Sequence, residues 1–219
     1  MITQGEISRT ASRTHKQDRV IEKDYVITWL LLGIADSPLA GVLAFKGGTA
    51  LKKMYFTDYR FSEDLDFIGP LQGMLGGRDI KIDFTLNEEL VLPLSRRDIL
   101  ARFSDCEPLS RQLNVYSLEE ILTEKLCALI GRTEPRDLYD AHFLLGLGGL
   151  DYQSIPQAFK TKASRKGVDP GRSYGVLQER EATISRLWDN RLALQVDSLP
   201  PVERVLRETK QTLRKFRLV

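Results

Sequence analysis

The chain has 219 residues, with 32 Lys+Arg against 30 Asp+Glu and 42% hydrophobic residues. That is room for one large domain or two small ones around a real core, and the composition is that of an ordinary globular protein. Only 2 histidines and 2 cysteines occur; His15, His142, Cys106 and Cys127 exclude a multi-histidine or cysteine-rich metal site and leave little room for Ser-His or Cys-His nucleophilic chemistry.

The cysteines read as reduced thiols of a cytosolic protein, with Cys127 packed inside. The longest apolar run near the start, Trp29 to Ile34, is too short for a bilayer, and the first residues lack a signal-peptide pattern. A cytoplasmic protein without a membrane partner is expected. Charge is uneven along the chain. Residues 1–150 hold 18 basic and 22 acidic side chains, and residues 151–219 hold 14 and 8. The basic C-terminal third fits a polyanion, and equally a solvated surface.

In chain order, residues 1–16 are polar and weakly patterned and read as a loose or docked arm. Asp18 to Ala35 carries a helical apolar stripe of Val20, Ile21, Val26, Ile27, Leu30 and Leu31, closed by Pro38. Val42 to Phe45 reads as a short buried strand. It leads into Lys46-Gly47-Gly48-Thr49 and a helix from Thr49 to Phe56. Glycines let backbone N–H groups approach an anion, and the helix start adds free donors; Thr49 can cap that helix or offer its hydroxyl to a phosphate.

The next strand carries Asp64 and Asp66. Residues two apart on a strand share a face, so the two carboxylates lie side by side while Leu65 and Phe67 turn to a core. Like charges so placed call for a cation, and a hard oxygen-liking ion such as Mg²⁺ suits them. Gly69 to Arg78 reads as a loop. Ile80 to Leu86 alternates cleanly and should pair antiparallel beside the Asp-x-Asp strand, making Asp83 a candidate third carboxylate or an ordinary strand aspartate.

Residues 88–112 are mixed, with Val91 to Leu94 a possible edge strand, and Leu113 to Tyr116 reads as a strand. Ser117-Leu118-Glu119-Glu120 is a capping box that starts a helix to about Arg132. Pro135 opens the following helix, which ends in the glycines after Leu145. Three more helices are expected at about 152–165, 173–190 and 201–216. In the helix that starts at Ser117, Lys125 falls on or beside the apolar stripe of Leu118, Ile121, Leu122, Leu126 and Leu129. It either snorkels, joins a buried salt bridge, or reaches an anion. Asp137 and Asp140 share a helix face; Arg136 can pair with Asp140, leaving Asp137 for Lys125 or a reacting hydroxyl.

Taken together, Phe45-Lys46-Gly47-Gly48-Thr49-Ala50-Leu51 followed by Arg60 to Phe67 resembles the DNA polymerase β-like nucleotidyltransferase superfamily. Within it the string is similar to the AbiEii/AbiGii-type toxins, which include the MenT group. The segment around Lys125 resembles the family's second motif, and Arg136 to Asp140 its third. The likeness covers roughly residues 20–145. The link between the Asp-x-Asp strand and the Asp83 strand is shorter than in many family members, which puts the substrate side in question.

The resemblance implies an α/β (α+β) fold with a small mixed sheet, a core over residues 1–116 and a helical region over residues 117–219 completing an active-site cleft. It implies transfer of a nucleotide from an NTP, with Mg²⁺ or Mn²⁺ on Asp64 and Asp66. Lys46, Gly47, Gly48, Thr49 and Lys125 would hold the nucleotide, and Asp137 or Asp83 would take the proton, with Asp137 favoured. The implied acceptor is RNA, above all the 3′ end of tRNA, which would block translation; a cognate antitoxin is the implied partner. Transfer to a protein or small molecule is the enzymatic rival. A catalytically silent RNA- or antitoxin-binding module is the rival of another class.

Overall fold

The computed structural model describes residues 2–62, 64–68, 82–85, 88–106 and 109–215. They fall into two compact units. One comprises residues 1–89, 94–116 and 195–197. The other comprises residues 90–93, 117–194 and 198–219.

The first unit opens with α1 (Gln4–Arg13), so the polar arm is helical. Thr3 accepts from the Glu6 N–H, and Ile7 and Ala11 are buried. Local capping outweighs the weak apolar pattern here. Helix α2 runs Asp18–Ala35, as its periodicity predicts. Its buried side includes Ile21, Ile27 and Leu31, whereas Val26 is 42% exposed. After Pro38–Gly41, one 3₁₀ turn, β1 (Ala44–Lys46) enters α3 (Gly47–Ala50), which continues as a wider π turn over Leu51–Tyr55.

The sheet strands that follow are β2 (Leu65–Ile68), β3 (Ile82–Thr85), β4 (Leu94–Asp98) and β5 (Gln112–Tyr116). Their order is β3-β2-β1-β5-β4. β1 is antiparallel to β2 and parallel to β5; β4 is antiparallel to β5. The core of this unit holds Phe45, Leu51, Leu65 and Val115, each 0% exposed. Burying each such side chain stabilises by ~1.5–3 kcal/mol.

Two strand expectations change. β3 pairs with β2 in parallel, not antiparallel. About a dozen residues suffice for a return to the same end of a sheet, and the link from Ile68 to Ile82 is that long. The edge strand is β4, one step beyond Val91 to Pro93, which forms no strand. The expected loop over 69–78, together with Ile80, Lys81, Leu86 and Phe216, lies outside the described residues.

The second unit is helical. α4 (Leu118–Gly131) starts at Ser117, whose hydroxyl accepts from the Glu120 N–H. Only half the capping box forms. The Glu120 carboxylate, 0% exposed, instead accepts from the Val91 and Leu92 backbone N–H groups at 3.3 and 3.1 Å and from Lys162 at 2.6 Å. α5 (Pro135–Leu145) follows with Pro135 in its first turn. Then come α6 (Ile155–Arg165), α7 (Ser173–Glu179), α8 (Glu181–Leu192) and α9 (Val202–Lys215). The helix expected over 173–190 is thus broken at Arg180, whose guanidinium donates to the Leu129 carbonyl. No described helix is long and apolar enough to cross a membrane.

Candidate active site

In the first unit the site grows from the β1–α3 turn. Lys46 ends β1, and Gly47 turns the chain with φ +80°. That conformation suits glycine, and a second constraint falls on the same residue. A Cβ at Gly47 would lie 2.3 Å from Asp66 Oδ2. The Asp66 carboxylate therefore packs directly on the bare glycine.

Thr49 is 1% exposed, and its hydroxyl donates to the Asp64 backbone carbonyl. The expected cap is not formed: α3 has no side-chain cap, and the hydroxyl ties the strand leading into β2 to the first turn of the helix. The glycine turn and the Asp-x-Asp strand are thereby held together from both ends.

Strand register extends the arrangement. Lys46 is opposite Asp66, and Asp66 is opposite Asp83. Residues paired across strands lie on the same sheet face. Lys46, Asp66 and Asp83 thus form one row across β1, β2 and β3, with Asp64 two residues before Asp66. Because β3 is parallel, Asp83 stands opposite the second aspartate. The Lys46 ammonium is 2.5 Å from Glu88 Oε2 and 5.8 Å from the centre of the Tyr116 ring. Sequence reading passed over Glu88, which follows the alternating strand and carries no motif.

Among the described residues no three His, Cys, Asp or Glu side chains form a metal cluster by themselves. Asp64 and Asp66 nevertheless have the donor chemistry of a Mg²⁺ site. That ion keeps several waters and takes one or two carboxylates plus substrate phosphates, so a pair suffices.

The second unit carries the other set. Lys125 is 8% exposed and lies 3.0 Å from Asp137 Oδ1 and 2.8 Å from Asp140 Oδ2. Arg132 adds two hydrogen bonds to Asp137, at 2.7 and 3.1 Å. Burial pushes the Asp137 carboxyl up, but Lys125 and Arg132 outweigh it and hold the group below the ordinary carboxylate range. Asp140, 0% exposed, takes Lys125 as its partner, and Arg136 has Glu134 at 3.5 Å. Sequence reading missed Arg132. Helical period could not have found it, because Arg132 is the extended residue that follows the end of α4 at Gly131.

Solved structures share the fold. The chain superposes on MenT4, a nucleotidyltransferase toxin from Mycobacterium tuberculosis H37Rv, with TM-score 0.73 and 18% identity, over 99% of this chain and 90% of that one. A putative nucleotidyltransferase from H. pylori matches with TM-score 0.52 and 18% identity, over 91% and 95%. The fold is that of the nucleotidyltransferase toxins.

The model of the family described as nucleotidyl transferase AbiEii toxin, type IV toxin–antitoxin system, matches residues 29–79 and 68–211, and the chain belongs to that family. It is a nucleotidyltransferase, and its family implies an antitoxin partner. No curated protein matches the sequence significantly.

Proposed function

We propose that the protein transfers a nucleotide from an NTP to the 3′ end of an RNA, tRNA above all, and so blocks translation in the cytoplasm. The observation that carries the reading is the row of Lys46, Asp66 and Asp83 beside the Gly47 turn. Asp64 and Asp66 would hold Mg²⁺ or Mn²⁺, which supplies charge for the phosphates and activates the acceptor hydroxyl. The backbone of Gly47 and Gly48 cradles phosphate oxygens, and Lys46 brings a positive charge to the same row. Thr49 contributes by fixing the chain at Asp64.

Lys125 and Asp137, in the second unit, are assigned the triphosphate and the proton by the family resemblance. Paired as they are, Asp137 is a poor base, because Lys125 and Arg132 keep it ionised at low pH. A triphosphate that draws Lys125 away raises the basicity of Asp137, so nucleotide binding and proton removal become linked. Asp83 is the other candidate for the proton.

The experiment is incubation with each labelled NTP and total RNA. Label at RNA 3′ ends supports the reading. Label on protein or on a small molecule replaces it with the rival acceptor, and no label with any NTP makes the chain a silent binding module.

A further inference from the structure

The last turn of the helix that begins at Gly47 carries Lys52 into the wall of a separate cavity of about 80 Å³, room for a cluster of waters or one phosphate group. Thr10, Arg13, Asp24, Lys53 and Arg102 line it as well. Lys52 is 8% exposed. Its ammonium donates to the Tyr59 backbone carbonyl at 3.1 Å and stands 3.8 Å from the centre of the Phe61 ring. An ammonium has three donors, and one carbonyl with one ring face leaves it under-satisfied.

The acids around the cavity are already matched. Asp24 faces Lys53 at 2.8 Å, Asp58 faces Arg102 at 3.0 Å, and Asp197 faces Lys16 at 2.8 Å. Among the described residues, Lys52 and Arg13 have no carboxylate partner. Burial lowers the Lys52 amine to about 8, with Lys53 and Arg102 helping and Asp24 and Asp197 opposing. The amine is therefore still mainly charged at neutral pH, in a place where a bare charge is costly.

We propose that this cavity is an oxyanion site for a phosphate group, with Lys52 as its buried cation and Arg13 as its outer one. The chemistry suits a free phosphate or the terminal phosphate of a nucleic acid. The site shares no residue with the Lys46–Asp66–Asp83 row, so it stands apart from the transfer reading.

The test uses the full chain with sulfate, which does not titrate near neutral pH, as the probe. NMR of the lysine side chains follows the Lys52 titration, and calorimetry measures binding. Sulfate should move the Lys52 midpoint above about 8 and bind about tenfold more weakly to Lys52→Met. Arg13→Gln, a change at an exposed side chain, should weaken it several-fold. Competition separates the sources. Displacement of sulfate by a 5′-phosphorylated dinucleotide, and not by its unphosphorylated form, marks a nucleic-acid end; displacement by inorganic phosphate alone marks the free ion. A Lys52 midpoint that sulfate leaves unmoved overturns the proposal, as does unchanged sulfate affinity in Arg13→Gln.

Discussion

Gly47 shows how much one residue without a side chain can decide. Its φ of +80° and its contact with Asp66 Oδ2 are separate demands for glycine. Gly47→Ala should cost ~1–2 kcal/mol for the left-handed backbone alone. It should reduce transfer far more than stability, because the new methyl group displaces Asp66. Denaturant unfolding beside an activity assay checks this, and an active Gly47→Ala enzyme would remove Asp66 from the chemistry. Lys125 makes a second test at this scale. It bridges two buried aspartates, so Lys125→Met should destabilise by ~3–5 kcal/mol through the charges it strands. If its only role is that bridge, nucleotide affinity per folded molecule stays constant. If it also grips triphosphate, affinity falls along with stability.

The same residues show what a sequence does and does not disclose. The turn at Gly47 and the strand through Asp66 were legible because such backbone conformations are set by neighbours a few positions away. Lys125 was among the partners expected for Asp137, but those of Lys46 and Asp140 were not legible, because each ion pair is chosen by tertiary packing among several charges in reach. Glu120 is the sharpest case. Local pattern made it the second half of a capping box, yet burial and Lys162 turn its carboxylate to the segment at Val91 and Leu92.

Among elements, helices α2, α4 and α5 followed from periodicity and caps, since those signals are local. The direction of β3 did not. Its alternation is the same in either orientation, and only the crossover decides. The α4–α5 pair has a pH signature. The Asp137 carboxyl is depressed, so the stability it lends is complete above the ordinary carboxylate range and is lost as pH falls through its own lower value. Arg132→Gln removes one source of that depression. The acid arm of the unfolding profile should move to higher pH. The acid limb of the transfer rate should move the same way if Asp137 is the base. A rate profile unmoved while the unfolding profile shifts would hand the proton to Asp83.

At the scale of the whole molecule, the basic excess of the C-terminal third is smaller in effect than in count. On α9, Val202, Val205, Leu206 and Leu213 are buried as their spacing predicts. Arg204 is tied to Glu208 and Lys210 to Glu181, at 2.9 and 2.5 Å, and the Arg214 guanidinium stacks 4.3 Å from the Tyr174 ring centre. Arg207 remains exposed without such a partner among the described residues. If RNA phosphates meet this face, Arg207→Glu combined with Arg214→Glu should raise the KM for tRNA several-fold and leave that for NTP unchanged. The effect should shrink as salt rises. Equal use of tRNA by the variant at low salt would assign α9 to the antitoxin or to water.

The account turns on Asp66, where the glycine turn, the proposed metal pair and the register with Lys46 and Asp83 meet. The direct measurement is transfer of labelled nucleotide by Asp66→Asn beside wild type, each with Mg²⁺ and with excess EDTA, on samples matched for thermal unfolding. Wild type should label RNA with Mg²⁺ and not with EDTA, and Asp66→Asn should fold normally and label nothing. Transfer by Asp66→Asn at the wild-type rate, or wild-type transfer undiminished by EDTA, would contradict it.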